Sequence, residues 1–373
     1  MNSVRGIIFA YHNYAELREL GKYRTAAALP VAGRYRLVDF ALSAMMNAEI
    51  YNVDMLMQFG FQSLIDHSRG GRPWNMIRHT GGLHLMLAKV NQGIYGGDME
   101  ALDAVKEHLY RDVKEDYVVL TRADQLANLD LKTLVDTHLA SGADITALCT
   151  DRKLPGEHHA FVPGPDGFAT DLLCRRTDSE QGVRSMETYV MSRENLMKMV
   201  EWCSEGDRLH FHRDAMLHAM RDDGWRVRIQ MHEGYVHPVT NVQEYYAANT
   251  DLLKKENFDS LFMNNRQIAT PARSDVSTYY SDTAEVSDSL VADGCMIEGK
   301  LDHCVVFSGV KVEPGASLKN CIVLNGTVVG AGAEVANMIL DKDVVVEAGA
   351  RSLPNSSLVQ VAPKGSVLKK EGN

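Results

Sequence analysis

The stretch Val312-Glu-Pro-Gly-Ala-Ser317 returns twice at a fixed spacing, as Val329-Gly-Ala-Gly-Ala-Glu334 and as Val346-Glu-Ala-Gly-Ala-Arg351. Between these copies, Leu318-Lys-Asn-Cys-Ile-Val323 matches Val335-Ala-Asn-Met-Ile-Leu340 at the same spacing. Short strands that recur this regularly, with apolar residues inside and glycine at the corners, are typical of a β-solenoid. The pattern of an aliphatic residue with a small residue four positions later predicts a left-handed parallel β-helix and disfavours a β-sandwich.

Upstream of this repeat, short apolar segments alternate with helical patterns. The predicted strands are Val4–Phe9, Val53–Met57, Tyr117–Leu120 and Ile145–Cys149, and the predicted helices include Glu100–Leu109, Leu131–Ala140 and Tyr245–Leu261. Such alternation predicts βαβ units and a mostly parallel sheet, with the functional site at the carboxyl ends of the strands. The segment Thr270-Pro-Ala-Arg273 interrupts the helical pattern. We therefore expect an α/β domain over residues 1–268 and a β-helix over residues 269–373.

Charge and cysteine usage limit the partners. The 373 residues carry a formal net charge of −10, which opposes binding to nucleic acid or to an anionic membrane. The six cysteines are scattered without a CxxC pair, which favours reduced thiols in a cytoplasmic protein. No apolar run approaches the roughly 18 residues that span a bilayer. We expect a cytoplasmic protein that binds neither nucleic acid nor membranes.

Several motifs, in order along nearly the whole chain, resemble the ADP-glucose pyrophosphorylase (glucose-1-phosphate adenylyltransferase) family. Leu29–Phe40 is close to the family's VPFGGKYRIIDF, and Ser185–Val190 is similar to its SMGIYVF. Asp288–Gly299 resembles DSLVSEGCIIEG at the entrance to the family's β-helix. The resemblance implies a Rossmann-like, GT-A-like nucleotidyltransferase domain before the left-handed β-helix, and a role in glycogen biosynthesis.

The phosphate loop that the family places after its first strand is missing. Adenylyl transfer needs backbone N–H groups around the phosphates, cationic side chains and Mg²⁺ held by carboxylates. The family supplies the backbone groups with a GGxGxRL loop, whereas this strand continues into Ala10-Tyr-His-Asn-Tyr-Ala15. Side chains at these positions, Tyr11 and Tyr14 among them, occupy space that a triphosphate needs.

The same alignment shows that two further functional positions of the family are altered in this chain. The lysine of the family's RAKPAVP corresponds to Ala26, and its two metal-binding aspartates correspond to Asp124 and Pro238. Proline offers no ligand to Mg²⁺. The resemblance therefore implies that no complete catalytic set remains. We therefore expect that the chain requires no cofactor. If some activity persists, we expect Mg²⁺ to bind at Asp124 only.

Other polar positions of the implied pocket are retained: Arg34, Arg36, Asp39, Asp124 and Asp214. They are either structural ion pairs or a residual anion site for a nucleotide, a sugar phosphate or an effector. In the family an activator site lies between the two domains, where Arg34, Arg36 and Arg273 are candidates. Arg175 stands in for the sugar-phosphate lysine, and Glu187 replaces a glycine and places a carboxylate near an anionic substrate.

Several histidines could belong to a metal site or to the turns of the solenoid. His158-His159 and His210-Phe-His212 offer metal-ligand atoms, but no third ligand lies beside them in sequence. We therefore expect structural histidines rather than a zinc site. His303 occupies the repeat position of Asn320 and Asn337, which indicates an ordinary corner of the solenoid.

The leading hypothesis is a regulatory subunit, similar to the non-catalytic D-type subunit of the family, which activates a catalytic partner in a hetero-oligomer, a tetramer. One alternative is an active adenylyltransferase whose phosphate site is rebuilt from Arg18, Lys22 and Arg24. Another is a hexapeptide acyltransferase or a sugar-phosphate binding protein, which the short solenoid disfavours.

Overall fold

The computed structural model of the chain describes residues 3–78, 81–87, 95–154, 156–176, 182–352 and 358–370. A helix-flanked sheet precedes a solenoid of short strands that begins at Tyr279. Within the described ranges, no helix is both long and apolar enough to cross a membrane.

The strands that precede the solenoid are β1 (Val4–Phe9), β2 (Pro30–Val31), β3 (Tyr35–Arg36), β4 (Val53–Met57), β5 (Leu83–Leu87), β6 (Tyr117–Arg122), β7 (Gln125–Ala127), β8 (Ile145–Thr150), β9 (His158–Pro163), β10 (Ala169–Arg176), β11 (Val183–Ser192), β12 (Val227–Met231) and β13 (Val236–Pro238). The α-helices are α1 (Leu37–Asn47), α2 (Gln62–Ser68), α3 (Asp98–Ala104), α4 (Lys106–Arg111), α5 (Leu131–Ser141), α6 (Arg193–Ser204), α7 (Leu217–Arg221), α8 (Val242–Thr250) and α9 (Lys255–Phe262). Short 3₁₀ turns span Ala15–Gly21, Ala26–Ala28, Arg69–Trp74 and Asp251–Leu253, and a π-helix spans Phe211–Met216.

The large sheet has the strand order β10-β9-β11-β6-β1-β4-β5, and β8 pairs with both β11 and β12. Strands β6, β1, β4 and β5 run parallel, as the alternation of strands and helices predicts. The central strands are apolar and buried on both faces because helices cover the sheet on both sides. The prediction of a mostly parallel sheet is confirmed. It missed β11, which runs antiparallel to β6 and β8.

Two predicted helices are broken in the structure. Glu100–Leu109 divides at Val105, whose φ of −113° and ψ of 10° end α3 before α4 begins. Tyr245–Leu261 divides at Lys254, whose extended backbone (φ −78°, ψ 119°) separates α8 and its 3₁₀ turn from α9. The second break turns α9 so that Phe262 stacks on Tyr35, with ring centroids 5.1 Å apart. Tertiary packing therefore overrides the helical pattern.

The solenoid strands are β14 (Tyr279–Tyr280), β15 (Glu285–Ser287), β16 (Leu290–Val291), β17 (Met296–Ile297), β18 (Lys300–Asp302), β19 (Val305–Val306), β20 (Lys311–Val312), β21 (Ser317–Lys319), β22 (Ile322–Val323), β23 (Val328–Val329), β24 (Glu334–Ala336), β25 (Met338–Leu340), β26 (Val345–Val346), β27 (Arg351–Ser352), β28 (Gln360–Ala362) and β29 (Val367–Leu368). Their parallel sheets form the faces of the left-handed β-helix that the repeats predict. On one face Ile297, Val312, Val329 and Val346 stack in register and are buried. Each buried aliphatic side chain of this size contributes about 1.5–3 kcal/mol.

The predicted corner position is confirmed. His303, Asn320 and Asn337 have φ values of 55°, 51° and 54°, in the left-handed region. Asparagine tolerates this conformation better than most residues, and the amide of Asn320 donates a hydrogen bond to Asn337 Oδ1 at 3.0 Å. His303 therefore serves the geometry of the turn.

The sheet domain and the solenoid share one apolar core. Leu29 and Phe40 belong to the same buried cluster as Phe307 and Leu324 of the solenoid. Arg24 Nη2 lies 2.5 Å from Asp341 Oδ2, and the two side chains are only 6% and 0% exposed. Removing one member of such a pair leaves the other charge buried and typically costs about 3–5 kcal/mol. The contact therefore fixes the solenoid beside the 3₁₀ turns that follow β1.

A polar cluster lies at the amino-terminal edge of the sheet. Arg5 Nε and Nη2 donate to the two oxygens of Asp54 at 2.9 and 2.7 Å. His84 Nδ1 and His108 Nε2 each lie 3.1 Å from Asp54 Oδ1. The hydrogen bond to Asp54 raises the pKa of His108 above its usual value of 6.5, although burial opposes this shift. The cluster therefore holds a histidine whose charge stabilises the fold.

The stability that His108 contributes should depend on pH. Because its pKa is higher in the folded state, the contribution is complete below about pH 6.5 and disappears as pH rises through the folded value. The His108→Gln variant should therefore lose most unfolding free energy near pH 6, and the loss should shrink toward about pH 9. Urea unfolding of both proteins across this range measures the difference.

His138 provides a matched control of opposite sign. Its Nδ1 lies 2.9 Å from Thr146 Oγ1, and burial lowers the pKa of His138 to about 4. The contribution of His138 is therefore present above about pH 6.5 and is lost as pH falls. A deficit in His108→Gln that stays constant across the pH range would contradict the proposed role of its charge.

Candidate functional site

A cleft of about 580 Å³ opens beyond the carboxyl ends of β1 and β6. Ligands of open α/β sheets bind at this edge because backbone groups and loops converge there. The walls come from the segment after β1, from β9 to β11, and from the π-helix. We therefore take this cleft as the candidate site.

Side chains fill the part of the cleft that follows β1. Tyr11 is buried, and its hydroxyl donates to Asp98 Oδ1 at 2.5 Å. The ring of His12 stacks on Tyr11 with centroids 4.3 Å apart, and His12 Nε2 lies 3.2 Å from Asp98 Oδ1. Here the described chain presents aromatic rings where the resemblance expects a glycine-rich phosphate loop.

Asp124 is held by Arg122 and Tyr14. Arg122 Nη2 lies 2.5 Å from Asp124 Oδ2 and Arg122 Nε lies 3.3 Å from Oδ1, while the Tyr14 hydroxyl also donates to Oδ2. Burial disfavours the ionised form of Asp124, but the charges of Arg122 and His12 and the hydrogen bonds from Arg122 and Tyr14 together outweigh it, and the pKa of Asp124 falls below its usual value. Both carboxylate oxygens are therefore bound to groups of the protein.

These residues do not fit the Mg²⁺ ion that the resemblance implies. Mg²⁺ needs carboxylate oxygens, and the guanidinium of Arg122 already neutralises Asp124. The second position is Pro238, whose strand β13 pairs antiparallel with Gln125 of β7, and its side chain has no oxygen. Sequence reasoning identified Pro238 but missed Arg122, although Arg122 stands two residues before Asp124.

Ala26, which corresponds to the lysine of the family's RAKPAVP motif, lies inside the protein. Ala26 is fully buried, and its amide donates to the His12 carbonyl at 3.0 Å. Arg18 and Lys22 are exposed on the 3₁₀ turn and beyond it, and Arg24 points to Asp341 of the solenoid. None of these three basic residues lines the cleft, so the structure does not bring them together as a rebuilt phosphate site.

Glu187 and Arg175 line the opposite wall of the cleft. Glu187 lies in a bulge of β11 with φ of 52°, a left-handed conformation suited to the glycine that the family motif has there. Its Oε2 is 3.4 Å from His212 Nε2 and 4.0 Å from Arg122 Nη1. Burial raises the pKa of Glu187. Arg175 Nε donates to Glu157 Oε2 at 2.9 Å and is largely exposed.

A third ligand-type side chain lies beside two of these histidines in space, although none lies beside them in sequence. His159 and His212 stack with centroids 3.8 Å apart and planes 7° apart, and Glu187 lies beside them. Burial lowers the pKa of His159 to about 4 and that of His212 to about 3, so both rings are neutral near pH 7. The three residues are far apart in sequence. The sequence feature that could have indicated this group is Glu187, which stands where the family's SMGIYVF motif has a glycine.

Asp39 and Asp214, predicted for the pocket, have local structural roles instead. Asp39 is fully buried, accepts the Arg36 amide at 3.0 Å at the start of α1, and lies 2.5 Å from His67 Nε2. Asp214 accepts the His210 amide at 3.0 Å where the π-helix begins. Their side chains cap helices, and neither lines a described cavity.

Arg34 and Arg36 lie outside the cleft, in a second cavity of about 210 Å³ between the β2–β3 hairpin and the solenoid. Arg273 and Lys342 also line it. Burial, together with the charges of Arg36 and Arg24, lowers the pKa of Lys342 to about 8. Sequence reasoning missed Lys342 because it lies within the solenoid repeat. The cavity concentrates positive charge at the contact between the domains.

Two protein-family models match the chain: "Nucleotidyl transferase" over residues 15–158 and "GlmU-like, C-terminal hexapeptide" over residues 271–352. The glycogen biosynthesis protein GlgD of Bacillus subtilis (strain 168) is 25% identical over 322 residues, covering 85% of this chain and 83% of that protein. The glucose-1-phosphate adenylyltransferase of Thermotoga neapolitana is 26% identical, covering 86% of this chain and 77% of the relative. The glucose-1-phosphate adenylyltransferase of Thermomicrobium roseum is 29% identical, covering 80% and 71%.

Proposed function

Because the chain belongs to the ADP-glucose pyrophosphorylase family, we propose that it is a non-catalytic regulatory subunit of glycogen biosynthesis that activates a catalytic partner subunit. This proposal rests on one observation: Arg122 and Tyr14 both bind the carboxylate of Asp124 in the cleft. The similarity to GlgD, whose name states a role in glycogen biosynthesis, supports it.

The chemistry of adenylyl transfer explains why these contacts matter. Catalysis of phosphoryl transfer consists almost entirely of positioning and electrostatic stabilisation, and one lost stabilising donor typically costs about 10²- to 10³-fold in rate. Here Tyr11 and His12 occupy the loop position, Ala26 replaces a cation, and Pro238 replaces a metal ligand. These changes act on the same phosphate groups. We infer that the chain by itself does not support the reaction at a useful rate.

The partner is a catalytic subunit of the same family, in a hetero-oligomer that we propose to be a tetramer. Activation requires that the regulatory chain contact the active and inactive conformations of its partner differently. The hydrophobic core that the sheet domain and the solenoid share joins them into one packed unit for such docking. All six cysteines are free thiols, which supports the cytoplasmic location proposed from the sequence.

We further propose that the second cavity binds an anionic effector. Arg34, Arg36, Arg273 and Lys342 surround it, and Asp66 is the carboxylate among its lining residues. Burial is the main cause of the lowered pKa of Lys342, and the charges of Arg36 and Arg24 add to it; a bound anion would compensate those charges. A phosphate-bearing compound bound here would contact both the β2–β3 hairpin and the solenoid, so it could bias their relative position.

The first prediction of this proposal concerns activity with and without a partner. The pure chain with ATP, glucose-1-phosphate and Mg²⁺ should release pyrophosphate only at the background rate. Added to the catalytic subunit of the same organism, it should co-purify with it and raise its rate. The Asp124→Asn variant should be less stable, but below its unfolding temperature it should still activate the partner, because Asp124 carries no chemistry in the proposed role.

Two results would count against the regulatory role. One is pyrophosphate release by the pure chain at a rate comparable to that of the catalytic subunit, which would support the active-enzyme alternative. The other is the lack of both a stable complex and any change in the partner's rate. Gel filtration of the mixture and a coupled pyrophosphate assay measure the two quantities.

A second prediction concerns the effector cavity. In the complex, inorganic phosphate or a sugar phosphate should change the rate, and Lys342→Ala should weaken that response by about tenfold, equivalent to roughly 1.4 kcal/mol. Lys300→Ala is the matched control, because Lys300 pairs with Glu285 on the solenoid surface and lies outside the cavity. An equal response in both variants would exclude this cavity as the effector site.

A further inference from the structure

His159, Glu187 and His212 form a compact group of metal-ligand atoms inside the cleft. One nitrogen or carboxylate oxygen from each lies within 4.8 Å of the other two. The residues come from β9, from β11 and from the π-helix, so the group depends on the tertiary structure. It contains neither Asp124 nor Pro238.

The backbone is irregular at two of these residues. Glu187 has φ of 52° in the β11 bulge, and His212 lies within the π-helix Phe211–Met216. Bulges, π-helices and left-handed non-glycine residues each disturb regular hydrogen bonding, and they concentrate at functional sites. Here the bulge directs Glu187 toward the two histidines. This arrangement is difficult to explain by packing alone, since a glycine would fit the Glu187 backbone with less strain.

The two histidines of the group are suited to bind a cation. Both imidazoles are neutral near pH 7 because burial lowers the pKa of His159 and of His212, so each has a nitrogen lone pair. His159 Nδ1 is buried without a hydrogen-bond partner among the described residues. The guanidinium of Arg122 lies 4.0 Å from Glu187 and is bound to Asp124.

We propose that His159, Glu187 and His212 bind a divalent transition-metal ion, with Zn²⁺ the best match to this ligand set. Two imidazoles and one carboxylate are a recurrent zinc set that leaves a coordination position open. The open position faces the cleft, since all three residues line it. A bound ion would connect β9, β11 and the π-helix across the place where a sugar phosphate would enter.

Binding requires a local rearrangement. The rings of His159 and His212 are nearly parallel, so their lone pairs run side by side and one ring must turn to share an ion. His212 Nε2 also contacts the Tyr189 hydroxyl, and Ser185 Oγ lies 2.5 Å from the same hydroxyl. Ser185 can retain Tyr189 when His212 binds the ion.

The cluster Asp54, His84 and His108 has similar ligand atoms but carries no such proposal. Arg5 donates to both oxygens of Asp54, and its Nη2 lies 2.8 Å from His84 Nδ1. A guanidinium therefore occupies the centre of that cluster and would repel a cation. In the cleft group the guanidinium of Arg122 lies farther away, 4.0 Å from Glu187 Oε2, and it pairs with Asp124.

The test uses the full-length chain, freed of metal with a chelator and titrated with Zn²⁺ in a calorimeter. One Zn²⁺ should bind per chain. His159→Gln and Glu187→Gln should each weaken binding about tenfold or more, since even groups that only support a metal ligand typically cost about 10- to 100-fold. His210→Gln is the matched control, because His210 lines the same cleft outside the group, and it should bind as the wild type does.

Two further measurements keep the test independent of folding. Zn²⁺ should raise the thermal unfolding temperature of the wild type and of His210→Gln, but not that of Glu187→Gln. Co²⁺ should give an absorption spectrum of nitrogen and oxygen ligands without a thiolate charge-transfer band. The proposal is overturned if the wild type does not bind Zn²⁺, if Glu187→Gln binds it equally well, or if the Co²⁺ spectrum shows thiolate ligation.

Discussion

The ion pair of Arg122 and Asp124 determines what the cleft can bind. Arg122 ends β6, and Asp124 follows at the position where the family holds a metal ion. Tyr14 donates to the same carboxylate, so the segment after β1 is fixed to the end of β6. Removing one partner would leave a buried charge, typically at a cost of about 3–5 kcal/mol. The contact therefore stabilises the fold at the place where a metal ion and a triphosphate would otherwise lie.

The rest of the scaffold depends on ordinary packing and keeps the cleft walls in place. Ile297, Val312 and Val329 stack inside the solenoid, and Phe40 and Phe307 share the core between the domains. These contacts do not involve phosphate or metal, so they persist when catalytic residues are replaced. A preserved scaffold around a chemically altered cleft is compatible with the regulatory role that we propose.

Repetition and local pattern made the fold predictable from the sequence. The solenoid repeat indicated the β-helix, and the sequence alone showed alanine and proline at positions 26 and 238, where the family motifs have a lysine and an aspartate. Contacts between distant segments were not predictable. The convergence of Glu187 with two histidines depends on a bulge in an antiparallel strand that the alternation pattern did not show. Local signals left the role of Asp39 open, because a helix cap and a ligand-binding carboxylate look alike in sequence.

The most direct measurement is calorimetric titration of the pure chain with ATP in the presence and absence of Mg²⁺. The account predicts no Mg²⁺-dependent binding of ATP, because Tyr14 and Arg122 already hold Asp124 and aromatic side chains fill the phosphate position. Binding of ATP that requires Mg²⁺ and is lost in Asp124→Asn would contradict it. Such a result would mean that the ion pair opens and that the cleft retains the nucleotide site of the family.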